Sequence, residues 1–158
     1  MLTNLRIQEF TSIEAWRASF IELLATGLFV FLGAGSVVIT GSFTDGELTV
    51  PRLLTKAFAH GLAIAFLAFI TANVSGGHMN PAVTFAAVMT KKISGARGLM
   101  FVAAQLAGAV MGALLLLAPI PDAADTNLGA HALGPDVSIE PRWNRSIGST
   151  GNWVGRAG

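Results

Sequence analysis

The sequence predicts an all-α membrane protein of three transmembrane helices and one re-entrant half-helix. Three observations carry that prediction. Charged residues make up only 12% of the 158-residue chain, about half the roughly 25% usual in soluble proteins. The missing charges leave three apolar runs, each near the ~20 residues that cross a ~30 Å hydrocarbon core. Between the second and third runs, an Asn-Pro helix start lies inside apolar sequence, at Asn80-Pro81.

Residues 1–17 form the N-terminal segment, with Arg6 and Arg17. The first span is expected over about 18–39, where Glu22 is the one ionisable side chain. The second is expected over about 54–73, and from 57 to 72 its one ionisable side chain is His60. The third is expected over about 97–118, and from 98 onward it has none. A soluble protein with buried helices is disfavoured, because the third run is apolar on all sides and long enough to span. A cleaved signal peptide fits poorly: the first run is too long for a signal core, and two more follow it.

The re-entrant element follows from lengths and caps. The second span should reach the membrane surface near Asn73. Residues 74–80 include Gly76 and Gly77 and reach ~23 Å when extended, ample for the ~15 Å climb to mid-membrane. Pro81 suits a first helical position, where its fixed φ fits and its missing N–H costs nothing. Asn80 is a natural N-cap. A helix over about 80–90 is ~15 Å long, half a bilayer. It ends beside Lys91 and Lys92, whose charges suit a helix C-terminus. A helix lying on the membrane surface would show a polar face, yet residues 81–89 offer only Thr84.

Loop charges set the expected orientation. Arg6, Arg17, Lys91, Lys92 and Arg97 flank one side, whereas residues 119–137 carry Asp122, Asp125 and Asp136 and no Lys or Arg. The positive-inside rule puts the N-terminus in the cytoplasm. Arg52 and Lys56 run against it without reversing it.

Backbone without helix at membrane depth must be buried in protein or line water. Residues 74–79 offer carbonyls, and the side-chain NH₂ of Asn80 can donate once its oxygen caps the helix. The half-helix N-terminus adds about +0.5 e, a barrier to protons and cations. This chemistry suits a small uncharged polar solute better than an ion. Other classes find little support. The chain has no cysteine, and its three histidines (His60, His78, His131) lack metal-ligand spacing. No phosphate loop or nucleophile–base set stands out. We therefore expect no enzyme activity, no cofactor and no metal. The net charge of +1 gives no footing for nucleic acid.

Ser75-Gly76-Gly77-His78-Met79-Asn80-Pro81-Ala82-Val83-Thr84 resembles the first signature of the aquaporin, or major intrinsic protein, family. The similarity extends to Glu22-Leu-Leu-Ala-Thr-Gly in the first span, His60-Gly61-Leu-Ala in the second and Ala104-Gln105-Leu-Ala-Gly108 in the third, about residues 14–137. The resemblance implies a channel for water and other small neutral solutes such as ammonia. It makes Asn80, in the Asn80-Pro81-Ala82 motif, the pore-centre donor. It makes Gly76, Gly77 and His78 sources of pore-facing carbonyls and Glu22 the carboxylate that holds the loop. For His78 the backbone is expected to matter, with the imidazole bonded on the cytoplasmic side. Gly61, Gly108 and Gly112 become helix-packing positions. His60 falls at the family's second-helix filter position, where strict water channels have Phe and tonoplast-type members His.

The family fold is two inverted repeats, and this sequence supplies one. The second Asn-Pro-Ala motif is absent. Residues 138–158 are rich in Gly, Ser, Arg and Asn and read as non-family sequence, as in a truncated or frameshifted product. The lipid bilayer and small neutral solutes are the expected partners. A complementing second half is one expected assembly. A homo-oligomer is the other, a tetramer if a complete pore forms. The alternatives are a non-conducting half-channel that associates with other subunits and a fragment of a secondary transporter. The latter would need an ion-coupling site that the spans lack.

Overall fold

The computed structural model describes residues 6–44 and 47–120. It is all-α: a 3-10 turn at Ile7–Thr11, then α1 (Ile13–Ser42), α2 (Val50–Thr71), α3 (Pro81–Met89) and α4 (Gly95–Leu115). Three of these, α1, α2 and α4, are long and apolar enough to cross a membrane. The tail and most of the acidic loop discussed above lie outside the described residues.

Caps move the helix boundaries away from those that hydropathy suggests. α1 starts at Ile13 because Ser12 accepts a hydrogen bond from Ala15 N at 3.4 Å, and Glu14 suits the positive first turn. It continues to Ser42 because its late hydroxyls bond within the helix: Thr40 Oγ1 to Ser36 O at 2.6 Å, Ser42 Oγ to Val38 O at 3.2 Å. Its 30 residues span ~45 Å, long enough to leave the hydrocarbon at both ends. Thr49 caps α2 at Arg52 N, and Ser94 caps α4 at Arg97 N. α2 ends at Thr71, where residues 72–75 turn the chain and Val74 and Ser75 donate back to Thr71 O.

α1 packs chiefly on α4, α2 packs on α1, and α3 packs on α4. Glycine sets the α1–α4 distance. A Cβ on Gly108 would overlap the Leu23 carbonyl oxygen, and one on Gly112 the Gly27 carbonyl oxygen. A Cβ on Gly27 would lie 3.0 Å from Gly108 O. The pairings 23–108 and 27–112 advance together, so the two helices run parallel, backbone against backbone. Such small-residue seams let membrane helices gain dispersion contact where burial from water gives no drive.

Gly61 requires a correction. Nothing lies within 4 Å of a Cβ placed there, so Gly61 is not a packing position within this chain. α2 meets α1 and the loop through another stripe, where Ala63, Leu67 and Thr71 are buried. Leu67 joins Ala25 and Met79 in a small core with Phe29, Ile64 and Ala68 packed against it. The remainder of α2 turns large apolar side chains outward, Phe58, Phe66 and Phe69 among them.

Candidate pore-lining site

The site is built where the chain leaves α2 and re-enters as α3. Gly76 and Gly77 have φ of 92° and 65°, values open to glycine at no steric cost. A Cβ on Gly77 would also press within 2.8 Å of Ala68 O. Met79 takes a left-handed φ of 46°, a strained choice that persists only where the surroundings impose it. They do: Met79 is buried in the core just described, and its N–H is fixed by a carboxylate.

That carboxylate is Glu22, fully buried on α1. Oε1 accepts from Ser75 Oγ at 2.6 Å and His78 N at 2.9 Å. Oε2 accepts from Met79 N at 2.6 Å and Gln105 Nε2 at 2.7 Å. Two backbone N–H groups that no helix could satisfy are thus paired, as buried backbone requires.

Gln105 then extends the network. The same Nε2 reaches Thr84 Oγ1 at 2.9 Å, and Thr84 Oγ1 lies 3.1 Å from His78 Nδ1. Since Thr84 accepts from Gln105, its own hydrogen is free to donate to His78 Nδ1. The His78 ring also meets Phe101 edge-on, centroids 5.5 Å apart. Glu22, His78, Thr84 and Gln105 therefore close a ring that ties α1, the loop, α3 and α4 together. The partner of the imidazole is thus Thr84, in the first turn of α3. Ser75, Thr84 and Gln105 are the residues that sequence reasoning left aside. Signals pointed to two of them: Thr84 is the lone polar side chain of α3, and Gln105 lies in a span without charge. Polar groups at such depth seek one another.

Held this way, Asn80 precedes Pro81 in the N-cap position. Its Oδ1 accepts from Ala82 N at 2.8 Å. Its side-chain nitrogen has no hydrogen bond among the described residues, and Asn80, Pro81 and Ala82 are all exposed. No described hydrogen bond ends on the carbonyls of Gly76, Gly77 or His78. The nine residues of α3 span ~13 Å, under half a bilayer. The result is one polar wall: a half-helix N-terminus, one amide donor and a run of unpaired acceptors.

His60 stands apart from this cluster. It lies eleven residues above Thr71 on α2, ~16 Å along the axis. Its Nδ1 lies 2.8 Å from Lys56 O. A carbonyl only accepts, so Nδ1 carries the hydrogen and Nε2 presents a lone pair. The ring packs edge-on against Phe29, centroids 5.9 Å apart, and against Gly33, where a Cβ would lie 2.7 Å from Nε2.

The sequence profile described as Major intrinsic protein matches residues 9–143. The chain belongs to the major intrinsic protein family. The lens fiber major intrinsic proteins of Canis lupus familiaris and Homo sapiens are each 42% identical to it over 131 residues, 83% of this chain and 48% of theirs. Aquaporin-5 of Mus musculus is also 42% identical over 131 residues, 83% of this chain and 47% of its own length. The chain thus spans about half the length of the curated relatives it matches. Family membership and the three apolar helices make it an integral membrane protein, and its fold is an aquaporin-like half.

Proposed function

We propose that this chain supplies one wall of a channel that passes water and other small neutral solutes by facilitated diffusion. The observation that carries the proposal is Asn80: an exposed donor at the N-terminus of a half-helix, beside unpaired carbonyls, at the end of a loop that Glu22 holds. A neutral solute accepts from Asn80 and donates to the carbonyls. A cation meets the positive helix end and finds no compensating carboxylate there, because both Glu22 oxygens are occupied. The names of its relatives, a lens major intrinsic protein and an aquaporin, support the same reading.

His60 is proposed as the solute-selecting side chain above Asn80. Its Nε2 lone pair accepts a hydrogen bond, which suits ammonia and water alike, whereas Phe would offer none. The N-terminus is proposed to face the cytoplasm, with Lys91 and Lys92 on the same side.

Asn80, Pro81 and the outer face of α2 are exposed, so the described residues wall the site on one side. The lumen is therefore proposed to close against a second half, whether another copy or a complementing chain. Reconstitution into liposomes tests this, with osmotic shrinkage followed by light scattering. The chain is assayed alone and with a separately made second half of a lens fiber major intrinsic protein. Shrinkage faster than empty liposomes in either arm supports the channel. Shrinkage at the empty-liposome rate in both arms, with the chain shown to be inserted, leaves a non-conducting half-channel.

A further inference from the structure

We infer that the groove between α1 and α4, at the membrane face where both helices begin, holds an acyl chain of an anionic phospholipid. The inference uses the proposed membrane orientation only to name the leaflet, and it stands whether or not the chain conducts.

The groove is a cavity of about 360 Å³, within the size range of small-molecule sites. Phe10, Trp16, Phe20 and Leu23 line one side, and Leu99 and Ala103 the other. Ser19 is the one polar side chain in the lining, and its hydroxyl already donates to Ala15 O at 2.8 Å. No free polar group therefore greets a solute. Water gains nothing there, and an empty space would forfeit the dispersion contacts of its walls.

Shape and depth select a lipid chain. The 3-10 turn roofs the groove: Phe10 lines it, Trp16 Nε1 donates to Phe10 O at 2.8 Å, and Glu9 pairs with Arg97 at the start of α4 at 2.9 Å. The side is open, with Trp16 and Phe20 each 58% exposed and Leu99 63%. From Trp16 to Leu23 is ~10 Å along the helix, within the ~15 Å of one leaflet. A groove closed at the headgroup end and open toward hydrocarbon admits a chain sideways. Small Ala103 in the lining leaves it the room.

Charge selects the headgroup. Among the described residues at this face, Arg6, Arg17, Lys91, Lys92 and Arg97 outnumber Glu9 and Glu14. Arg17 is exposed and directly follows Trp16, at headgroup depth. Basic side chains at that depth attract anionic lipid.

Trp16 reports occupancy directly. The full chain carrying Trp143→Phe and Trp153→Phe retains a single tryptophan. It is placed in phosphatidylcholine vesicles containing a small fraction of phospholipid brominated on its acyl chains. Brominated phosphatidylglycerol should quench Trp16 about fivefold more effectively than brominated phosphatidylcholine, the attraction of one basic side chain at an anionic surface. Arg17→Gln should weaken that preference and leave quenching by phosphatidylcholine in place. Ala103→Phe, with helix content unchanged by circular dichroism, should reduce quenching by both lipids. Equal quenching by the two lipids in the unsubstituted background overturns the anionic site. A preference that survives Ala103→Phe shows headgroup attraction without a seated chain, and overturns the groove. Should Ala103→Phe not fold, competition decides: unbrominated phosphatidylglycerol at equal amount must restore Trp16 emission more than phosphatidylcholine does, or the site is refuted.

Discussion

Glu22→Gln is the sharpest perturbation available, because it is isosteric and leaves no cavity. It exchanges one oxygen that accepts two hydrogen bonds for an NH₂ that accepts none. The side chain can place that NH₂ in either oxygen position, and the two choices differ in cost. At the Oε2 position it would face Met79 N and Gln105 Nε2, both obligatory donors. At the Oε1 position it would face His78 N and Ser75 Oγ. Ser75 can turn its hydrogen away and accept instead, since a hydroxyl serves either role. The Oε1 arrangement therefore leaves one orphaned backbone donor, the His78 N–H.

An unpaired buried backbone donor costs about 1–3 kcal/mol. About 2 kcal/mol corresponds to a local opening equilibrium shifted roughly 30-fold. Amide hydrogen exchange in nanodiscs, read by NMR, measures this residue by residue. The expected result is exchange roughly 30-fold faster at His78, a smaller change at Met79, and none at Ala113, two turns beyond Gln105 on α4. Uniform acceleration across the chain would mean global destabilisation and defeat the argument. So would a change below about threefold at His78, because the full desolvation cost of the orphaned donor would then be missing.

Four further outcomes are expected. Gly108→Val should separate α1 from α4, since even a Cβ there overlaps Leu23 O; the midpoint of unfolding in rising dodecyl sulfate should fall markedly. Gly61→Ala should leave that midpoint unchanged, because the added methyl meets nothing within 4 Å. Thr84→Val removes the hydroxyl shared by Gln105 and His78 and should cost about 1–3 kcal/mol, seen as a shifted midpoint and as loss of the hydrogen-bonded Nδ1 signal of His78 by ¹⁵N NMR. If transport is observed, His60→Phe should lower ammonia permeability relative to water in the same vesicles, and an unchanged ratio removes His60 from selection.

Much of this architecture was legible because it follows from one-dimensional signals. Apolar run length gave three spans, and Asn80-Pro81 gave the half-helix start to within a residue. Boundaries slipped where capping outranks hydropathy: α1 begins five residues before the apolar run, at the Ser12 cap. The partners of Glu22 were harder. A single intramembrane carboxylate announces that it needs donors, but the sequence separations, 53 to Ser75 and 83 to Gln105, carry no local pattern. His78 illustrates the same limit. Its backbone lies in a legible motif, yet its imidazole depends on Thr84 one turn into α3 and on Gln105 from α4. Gly61 failed differently: small-residue spacing marks a face able to pack, not one that meets a neighbour within this chain.

The glycine seam and the polar ring are mechanically one device. Gly108 lies three residues beyond Gln105 on α4, and Leu23, its contact, directly follows Glu22 on α1. The backbone approach at Gly108 therefore fixes the height at which Gln105 meets Glu22, and Glu22 in turn fixes His78 and Met79, the two residues before Asn80. A displacement of α4 along α1 by one turn would be ~5 Å, beyond any hydrogen bond in the ring. Small shifts are opposed because the carboxylate has no spare acceptor geometry: all four of its partners donate. The position of the one free donor at Asn80 is thus set by a close contact that never touches the proposed lumen. It follows that Gly108→Val should disturb the exchange of the His78 and Met79 amides as strongly as Glu22→Gln does. Gly61→Ala, on the exposed face of α2, should not disturb it. If the two loop amides stay protected in Gly108→Val while α1 and α4 separate, Glu22 alone holds the loop and the coupling through Gln105 is refuted.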